Sequence, residues 1–340
     1  MEREDRVTGP AEDELIETLR RLLGGDAPGV RLGPGDDAAL VEVGDRLAIL
    51  TVDMLVEGVD FELDTAAARD IGYKAVQVNA SDVAAMGGSP RYGLVALGLP
   101  RTIEQAWVVE LYGGMREAAG EHAVAVVGGD ISRADRVVLA VTMTGEAPAG
   151  GAVLRSGAKP GDRVVVTGSL GAAAGGLRLL RAGPEAVAAA RADGWGRDLL
   201  EAQFRPVARV GEGQSLARSG ATAMIDVSDG LSVDLWRLCR ASGVAAAVTL
   251  GRVPLAPALE PLARVIEVDP LALALGGGED LELIATLPAD AVRSAAASLA
   301  ERFATALTDI GEIRAGSGLV AVSEDGAERP MEPEGWDHLA

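Results

Sequence analysis

The sequence has little of what enzymes commonly use for nucleophilic or proton-transfer chemistry. Among 340 residues there is one cysteine, Cys239, and two histidines, His122 and His338. A single thiol excludes a disulfide framework. Three nitrogen or sulfur donors so dispersed cannot assemble a zinc site of the usual type. Cys239, in Asp234-Leu235-Trp236-Arg237-Leu238-Cys239, reads as a packing residue. Lysine occurs only at Lys74 and Lys159, and neither lies in a Gly-x-x-x-x-Gly-Lys-Ser/Thr loop. The His-Arg-Asp set of protein kinases is also missing. Any phosphate binding would therefore rest on metals and arginines. Aromatic residues make up 3% of the chain, so its core is expected to be built of small aliphatic layers. No apolar run approaches membrane-spanning length, and Met1-Glu2-Arg3-Glu4-Asp5 lacks the pattern of a secretory signal, so a cytoplasmic protein is expected.

What is present is acid and glycine. Fifty-one acidic against 31 basic residues give a net charge of −20, which disfavours nucleic acid and anionic membranes as partners. With 48% hydrophobic residues the chain can bury a sizeable core, and its length suits two domains. Hydrophobic periodicity predicts an amphipathic opening helix over 12–23, with Leu15, Ile16, Leu19, Leu22 and Leu23 on one face. It then predicts strands at 38–43, 47–52, 93–99, 123–127 and 137–144, and helices at 65–86 and 103–119. Pro148-Ala149-Gly150-Gly151 reads as a linker. Beyond it, strands are expected at 163–167, 223–227 and 281–287. Helices are expected from Ala172, around Ala186, Leu199 and Val207, and over 231–241 and 291–302. The expectation is an α/β (α+β) chain with domains at 1–148 and 149–340.

Five segments share one design, in which an apolar run ends at small residues and a carboxylate follows. They are Gly35-Asp36-Asp37, Thr51-Val52-Asp53, Asn79-Ala80-Ser81-Asp82, Gly128-Gly129-Asp130 and Asp226-Val227-Ser228-Asp229-Gly230. Any one of them can be a helix cap or a turn former. Five together suggest carboxylates that converge, and convergent carboxylates repel one another unless cations neutralise them. With oxygen ligands dominant, Mg²⁺ or its relatives fit best. A calcium loop starting at Asp226 fails, because its twelfth position is Arg237. Gly168-Ser169-Leu170-Gly171-Ala172-Ala173-Ala174-Gly175 has the wrong glycine spacing for a dinucleotide loop and reads as a close-packed strand-to-helix turn.

These segments resemble the thiamine-monophosphate kinase family, part of the superfamily that includes aminoimidazole ribonucleotide synthetase. The match runs in family order through Gly35-Asp36-Asp37-Ala38-Ala39-Leu40, the stretch from Lys74 to Gly87, Val127-Gly128-Gly129-Asp130 and Arg155 to Asp162. It continues through Ile225 to Leu231, Gly277-Gly278-Glu279-Asp280-Leu281-Glu282-Leu283 and Gly335-Trp336-Asp337-His338. The resemblance implies an N-terminal α/β domain that pairs with its twin in a homodimer, and a C-terminal α/β domain, with ATP held between the two domains. It also implies that Asp37, Asp53, Asp82, Asp130, Asp226 and Asp229 bind several Mg²⁺ ions, with oxygen from Thr51 and Val52. Gly129, Asp130, Arg155 and Ser228 would contact ATP, while Asp60, Glu279 and Trp336 would face the substrate. Arg133 is a further phosphate candidate, and Lys74 is expected to extend along its helix towards solvent.

The family commonly has His where Asp60 stands, in Glu57-Gly58-Val59-Asp60-Phe61. An anion there suits the cationic thiazolium and opposes the substrate phosphate. A phosphate monoester, with a second pKa of about 6, is largely dianionic at neutral pH, so the acceptor needs no general base. No catalytic acid or base is therefore assigned. The alternatives are aminoimidazole ribonucleotide synthetase and a non-catalytic nucleotide-binding protein. The Gly-Thr-Lys element of that synthetase is missing, since Met54-Leu55-Val56 follows Asp53.

Overall fold

A computed structural model of the chain describes residues 11–23 and 27–337. His338 lies outside the described residues. The first half runs α1 (Ala11–Leu23), β1 (Val30–Leu32), β2 (Ala39–Val43), β3 (Arg46–Val56), α2 (Ala68–Ala85), β4 (Ser89–Leu99), α3 (Gln105–Glu121), β5 (Ala125–Arg133) and β6 (Val138–Glu146). The second half begins β7 (Arg163–Thr167), α4 (Ala172–Arg181), α5 (Pro184–Ala192), α6 (Trp195–Phe204), α7 (Val210–Arg218), β8 (Ala223–Asp226), α8 (Leu231–Ser242) and β9 (Ala245–Thr249). It ends α9 (Leu259–Ile266), α10 (Pro270–Gly276), β10 (Leu283–Leu287), α11 (Val292–Phe303), β11 (Leu307–Arg314), β12 (Gly318–Val322) and β13 (Glu328–Met331).

Each half builds its own sheet. The first is ordered β1-β2-β3-β6-β4-β5, and the second β13-β12-β9-β11-β7-β10-β8. Both are antiparallel except for the β4–β5 and β9–β12 pairs. The first sheet buries Ile49, Leu55, Val95, Leu97, Leu139 and Met143 against α2 and α3. Helix α2 is buried nearly all round, because α7 of the second half packs on its far side. Gly213 makes that approach possible, as a Cβ there would stand 2.2 Å from the Ala84 carbonyl oxygen. Two carboxylate-bearing elements, α2 and the end of β8, are thereby brought together.

Among the described residues, nothing covers the other face of the first sheet. Cross-strand pairing places Met54, Ala140, Ala96 and Asp130 in one row on this face, and Val52, Thr142 and Leu94 in the next. Val52, Met54, Tyr92 and Leu94 are each at least half exposed. Edge strand β5 is exposed along most of its length, with Val127 at 59% and Ile131 at 61%.

Several expectations change. The strand at 47–52 continues past Asp53 to Val56, and the one at 123–127 continues through Gly128-Gly129-Asp130 to Arg133. Glycine and aspartate are poor strand formers, but ladder bonds to β6 and β4 carry the backbone through them. Asp53 and Asp130 therefore sit within strands, not after them. Strands β9, β11, β12 and β13 carry no clear alternation, and periodicity did not reveal them. Helix α1 forms as expected, but its apolar face is not buried: Leu22 is 77% and Leu23 71% exposed.

Candidate active site

Between the two sheets opens a cleft of about 1060 Å³, lined by Asp36, Asp37, Thr51, Val52, Asp53, Asp60 and Asp82 from the first half. Arg155, Asp226, Ser228, Asp229, Glu279 and Trp336 line it from beyond the linker. Its floor is a carboxylate cluster. One oxygen each of Asp37, Asp82 and Asp226 lies within 4.8 Å of the others. Local structure explains the convergence. Helix α2 places Asn79, Ser81 and Asp82 at its C-terminal end, beside β3 and β8. The Asn79 side-chain oxygen Oδ1 accepts from the Asp53 backbone N–H at 3.2 Å, and the Ser81 hydroxyl donates to Asp226 at 2.5 Å. The Thr51 hydroxyl donates to Asp82.

The electrostatics are those of a site built for cations. Burial, then Asp53, Asp226 and Asp37, push the Asp82 carboxyl well above the ordinary carboxylate range, opposed by the Thr51 hydroxyl. Asp226 is raised well above it too, by burial and then by Asp37. Asp36 is pushed up to about 7 by burial and by Asp37, against the pull of Arg155. Asp37 Oδ2 is buried and has no hydrogen-bond partner among the described residues. An oxygen-only donor set with an orphaned buried carboxylate oxygen fits a hard divalent cation.

Arg155 lies between the cluster and the second half. Its guanidinium donates to Asp37 Oδ1 at 2.7 and 3.2 Å, and its backbone N–H donates to Asp36. Asp229 projects from the turn before α8 and is ion-paired with Arg237. That turn is organised by Asp234, whose Oδ2 accepts the N–H groups of Ser228, Asp229 and Gly230 at 3.0–3.1 Å. The Ser228 carbonyl in turn accepts the Glu279 N–H at 2.8 Å. Gly278 permits this approach, because a Cβ there would stand 2.4 Å from the Ser228 oxygen. Glu279 itself adopts a left-handed conformation (φ +70°), a strain that persists where surrounding structure over-determines it. Trp336, 45% exposed, is tied to the same turn through its backbone N–H, which donates to the Asp229 carbonyl. Asp60 accepts the Val56 N–H at 2.7 Å, so the residue shapes its own loop while bordering the cleft.

Gly129 and Asp130 stand apart. They do not border this cleft, and β5 lies three strands from β3, about 14 Å at the usual strand spacing. Asp130 accepts from Ser132 on the open outer face, and Arg133 ends the same exposed strand. Gly129 has a structural reason to be glycine, since a Cβ would lie 1.9 Å from the Val95 oxygen.

The AIR synthase related protein N-terminal domain matches residues 35–147, and the AIR synthase related protein C-terminal domain matches 159–324. The thiamine-monophosphate kinase of Aquifex aeolicus is 35% identical over 307 residues, covering 90% of this chain and 92% of that protein. The chain belongs to the thiamine-monophosphate kinase family. The thiamine-monophosphate kinase of Mycobacterium tuberculosis strain H37Rv is 41% identical over 261 residues, 75% of this chain and 74% of its own. Among solved structures, AaThiL complexed with AMPPCP and TMP superposes with a TM-score of 0.83 at 32% identity, covering 96% of each chain.

The structure also corrects one expectation. Lys74 does not extend to solvent: its side chain is 6% exposed and pairs with Glu279 across the two halves. Helical periodicity alone could not show this, because the partner lies on a distant loop. Sequence reasoning also missed Asn79 and Ser81 as supports of the cluster, and Arg237. Asn79 and Ser81 stand in the same motif as Asp82, and Arg237 follows Asp234 at helical i+3 spacing, the only local signals. The glycine-rich turn before α4 holds no open anion site, because the Asp280 carboxylate already accepts from Gly171 and Ala173.

Proposed function

We propose that this protein transfers the γ-phosphate of ATP to thiamine monophosphate, giving thiamine diphosphate and ADP. The observation that carries the reading is the buried Asp37, Asp82 and Asp226 cluster on the floor of an interdomain cleft, in a chain 35% identical over 92% of a thiamine-monophosphate kinase. The reaction brings two polyanions together, and the chain supplies almost no lysine to offset them. Mg²⁺ would be held by Asp37, Asp53, Asp82, Asp226 and Asp229 with oxygen from Thr51 and Val52, and when bound it screens the phosphates of donor and acceptor. Arg155, anchored on Asp37, and Ser228 would bind the nucleotide, while Asp60, Glu279 and Trp336 would border the acceptor. Residues 1–148 and 149–340 remain the proposed division between the two domains, and the cytoplasm the proposed location. No helix among the described residues is long and apolar enough to cross a membrane.

The working unit in this reading is a homodimer. The uncovered apolar face of the first sheet and its exposed edge strand are what a second copy would bury. Face-to-face pairing would bring the partner subunit's Gly129 and Asp130 to the rim of the cleft, which Val52 and Met54 of the same outer face already border. That would reconcile their proposed metal and ATP roles with their distance from Asp53 within one chain.

Purified protein with ATP, Mg²⁺ and thiamine monophosphate is expected to form thiamine diphosphate and ADP in equal amounts. ADP release that does not depend on the acceptor would overturn the reading. Because Asp82 and Asp226 hold their protons above the ordinary range, protons compete with the metal. The Mg²⁺ concentration for half-maximal rate is therefore expected to fall as pH rises through the range above the ordinary carboxylate value of 3.8. A half-saturation that stays constant across that window would remove these carboxylates as ligands.

A further inference from the structure

Beside the cleft lies a second cavity of about 500 Å³, and Gln203 of α6 lines both. We propose that Gln203 determines specificity for the acceptor, by accepting a hydrogen bond from the exocyclic amine of its aminopyrimidine ring. The inference rests on the thiamine-monophosphate reading.

Gln203 is 6% exposed, and its Nε2 donates to Glu279 Oε2 at 3.0 Å. A carboxylate can only accept, so this contact fixes which end of the amide faces Glu279. The carbonyl Oε1 is consequently turned away, and it is buried with no donor among the described residues. Glu279 is itself held through its other oxygen by Lys74. The amide therefore cannot rotate to satisfy its carbonyl without breaking its contact to the ion-paired Glu279. Its backbone is equally fixed, because bare Gly176 lets α6 close on α4: a Cβ there would stand 2.8 Å from the Gln203 Cβ. A buried acceptor without a donor, rigidly held where two cavities meet, suits a ligand that supplies the donor.

The cavity describes that ligand. Phe61, Ile71, Leu180 and Phe204 offer apolar walls for a flat ring. Four acids, Asp60, Glu62, Asp64 and Asp70, border it against two bases, Lys74 and Arg181; Lys74 is paired with Glu279 and Asp70 with Arg205, so the lining keeps an acidic excess. An organic cation is favoured by that balance. Thiamine monophosphate is a thiazolium cation with a phosphate at one end and a 4-aminopyrimidine at the other. With the phosphate directed to the carboxylate cluster and its cations, the aminopyrimidine is the end left for the second cavity, and its amine carries the N–H that Gln203 lacks.

Steady-state kinetics on the full chain test this with thiamine monophosphate and with its analogue bearing hydrogen in place of the 4-amino group. The native protein is expected to prefer thiamine monophosphate by at least about tenfold in kcat/KM. Gln203→Met, similar in shape and unable to accept, is expected to raise KM for thiamine monophosphate while leaving KM for ATP within about twofold, and to erase the preference. Equal use of the two acceptors by the native protein overturns the proposal whether or not the variant folds. So does a folded Gln203→Met that keeps the preference. A native protein that phosphorylates neither acceptor would remove the functional reading instead, and that outcome is distinguishable from both.

Discussion

Asp82→Asn is expected to lose about 10²–10³-fold in turnover while melting at a higher temperature than the native protein when no metal is present. The two effects share one cause. Asp82 is buried among Asp53, Asp226 and Asp37, and burial followed by those charges lifts its carboxyl well above the ordinary value of 3.8. The unfolded chain releases this proton near the ordinary value, whereas the folded chain retains it to higher pH. Folded stability is therefore lost as pH rises above 3.8, and the loss is complete above the folded value. Each unit of elevation costs about 1.4 kcal/mol. Asparagine keeps an oxygen for the Thr51 hydroxyl and removes the charge, so the metal-free variant gains stability at neutral pH. A gain of 1 kcal/mol is roughly 2–4 °C in domains of ordinary size. Added Mg²⁺ should then raise the melting temperature of the native protein strongly and that of the variant little. Thermal melts with and without Mg²⁺ at pH 8, together with a product assay, check both halves. A variant that melts lower without metal, or that turns over normally, would show that the cluster is not a cation site held under repulsion.

Gly114→Ala should destabilise the fold by about 3 kcal/mol or more, while the adjacent Gly113→Ala should be neutral or stabilising by up to about 1 kcal/mol. Both glycines lie inside α3, where alanine is intrinsically the better helix former. At position 114 a Cβ would stand 1.7 Å from the Arg69 carbonyl oxygen, and at Gly72 on the facing helix it would stand 1.9 Å from the Leu111 oxygen. These contacts are backbone to backbone, so α2 and α3 would have to separate. At Gly113 the nearest atom is the tip of the Arg69 guanidinium at 3.1 Å, on an exposed and flexible side chain. Separation would also displace α2, which carries Lys74, Ser81 and Asp82, so Gly114→Ala should lose activity along with stability. Equal melting temperatures for the two variants would contradict the packing described.

How far the sequence could be read differs from one element to the next. Helices α2 and α8 and strands β7 and β10 could be placed because their apolar residues follow helical spacing or form short bounded runs, and the acid motifs stand at their ends. Strands β3 and β5 were cut short at Asp53 and at Gly128-Gly129, where local preference argues against extension and only pairing with β6 and β4 overrides it. At the site, the same residue types that mark turns also mark metal ligands, so family resemblance carried the assignment further than spacing did. Lys74 shows the limit most directly. In the sequence it is a helical lysine like any other, and its burial follows from a glutamate 205 positions later.

What the sequence determined by itself is the chemistry available: oxygen ligands in plenty, scarcely any thiol, imidazole or ammonium, and an order of motifs that specifies the family. Which acids meet was decided by tertiary structure alone. The close approach of α7 to α2 joins Asp82 to Asp226, while the strand order sets Asp130 far from Asp53 and the cross-strand register turns it to the opposite face. The physical reason is range. Hydrophobic periodicity and turn preference act over a few neighbouring residues, whereas repulsion between carboxylates, buried ion pairs and an unsatisfied amide arise only between groups that packing has brought together.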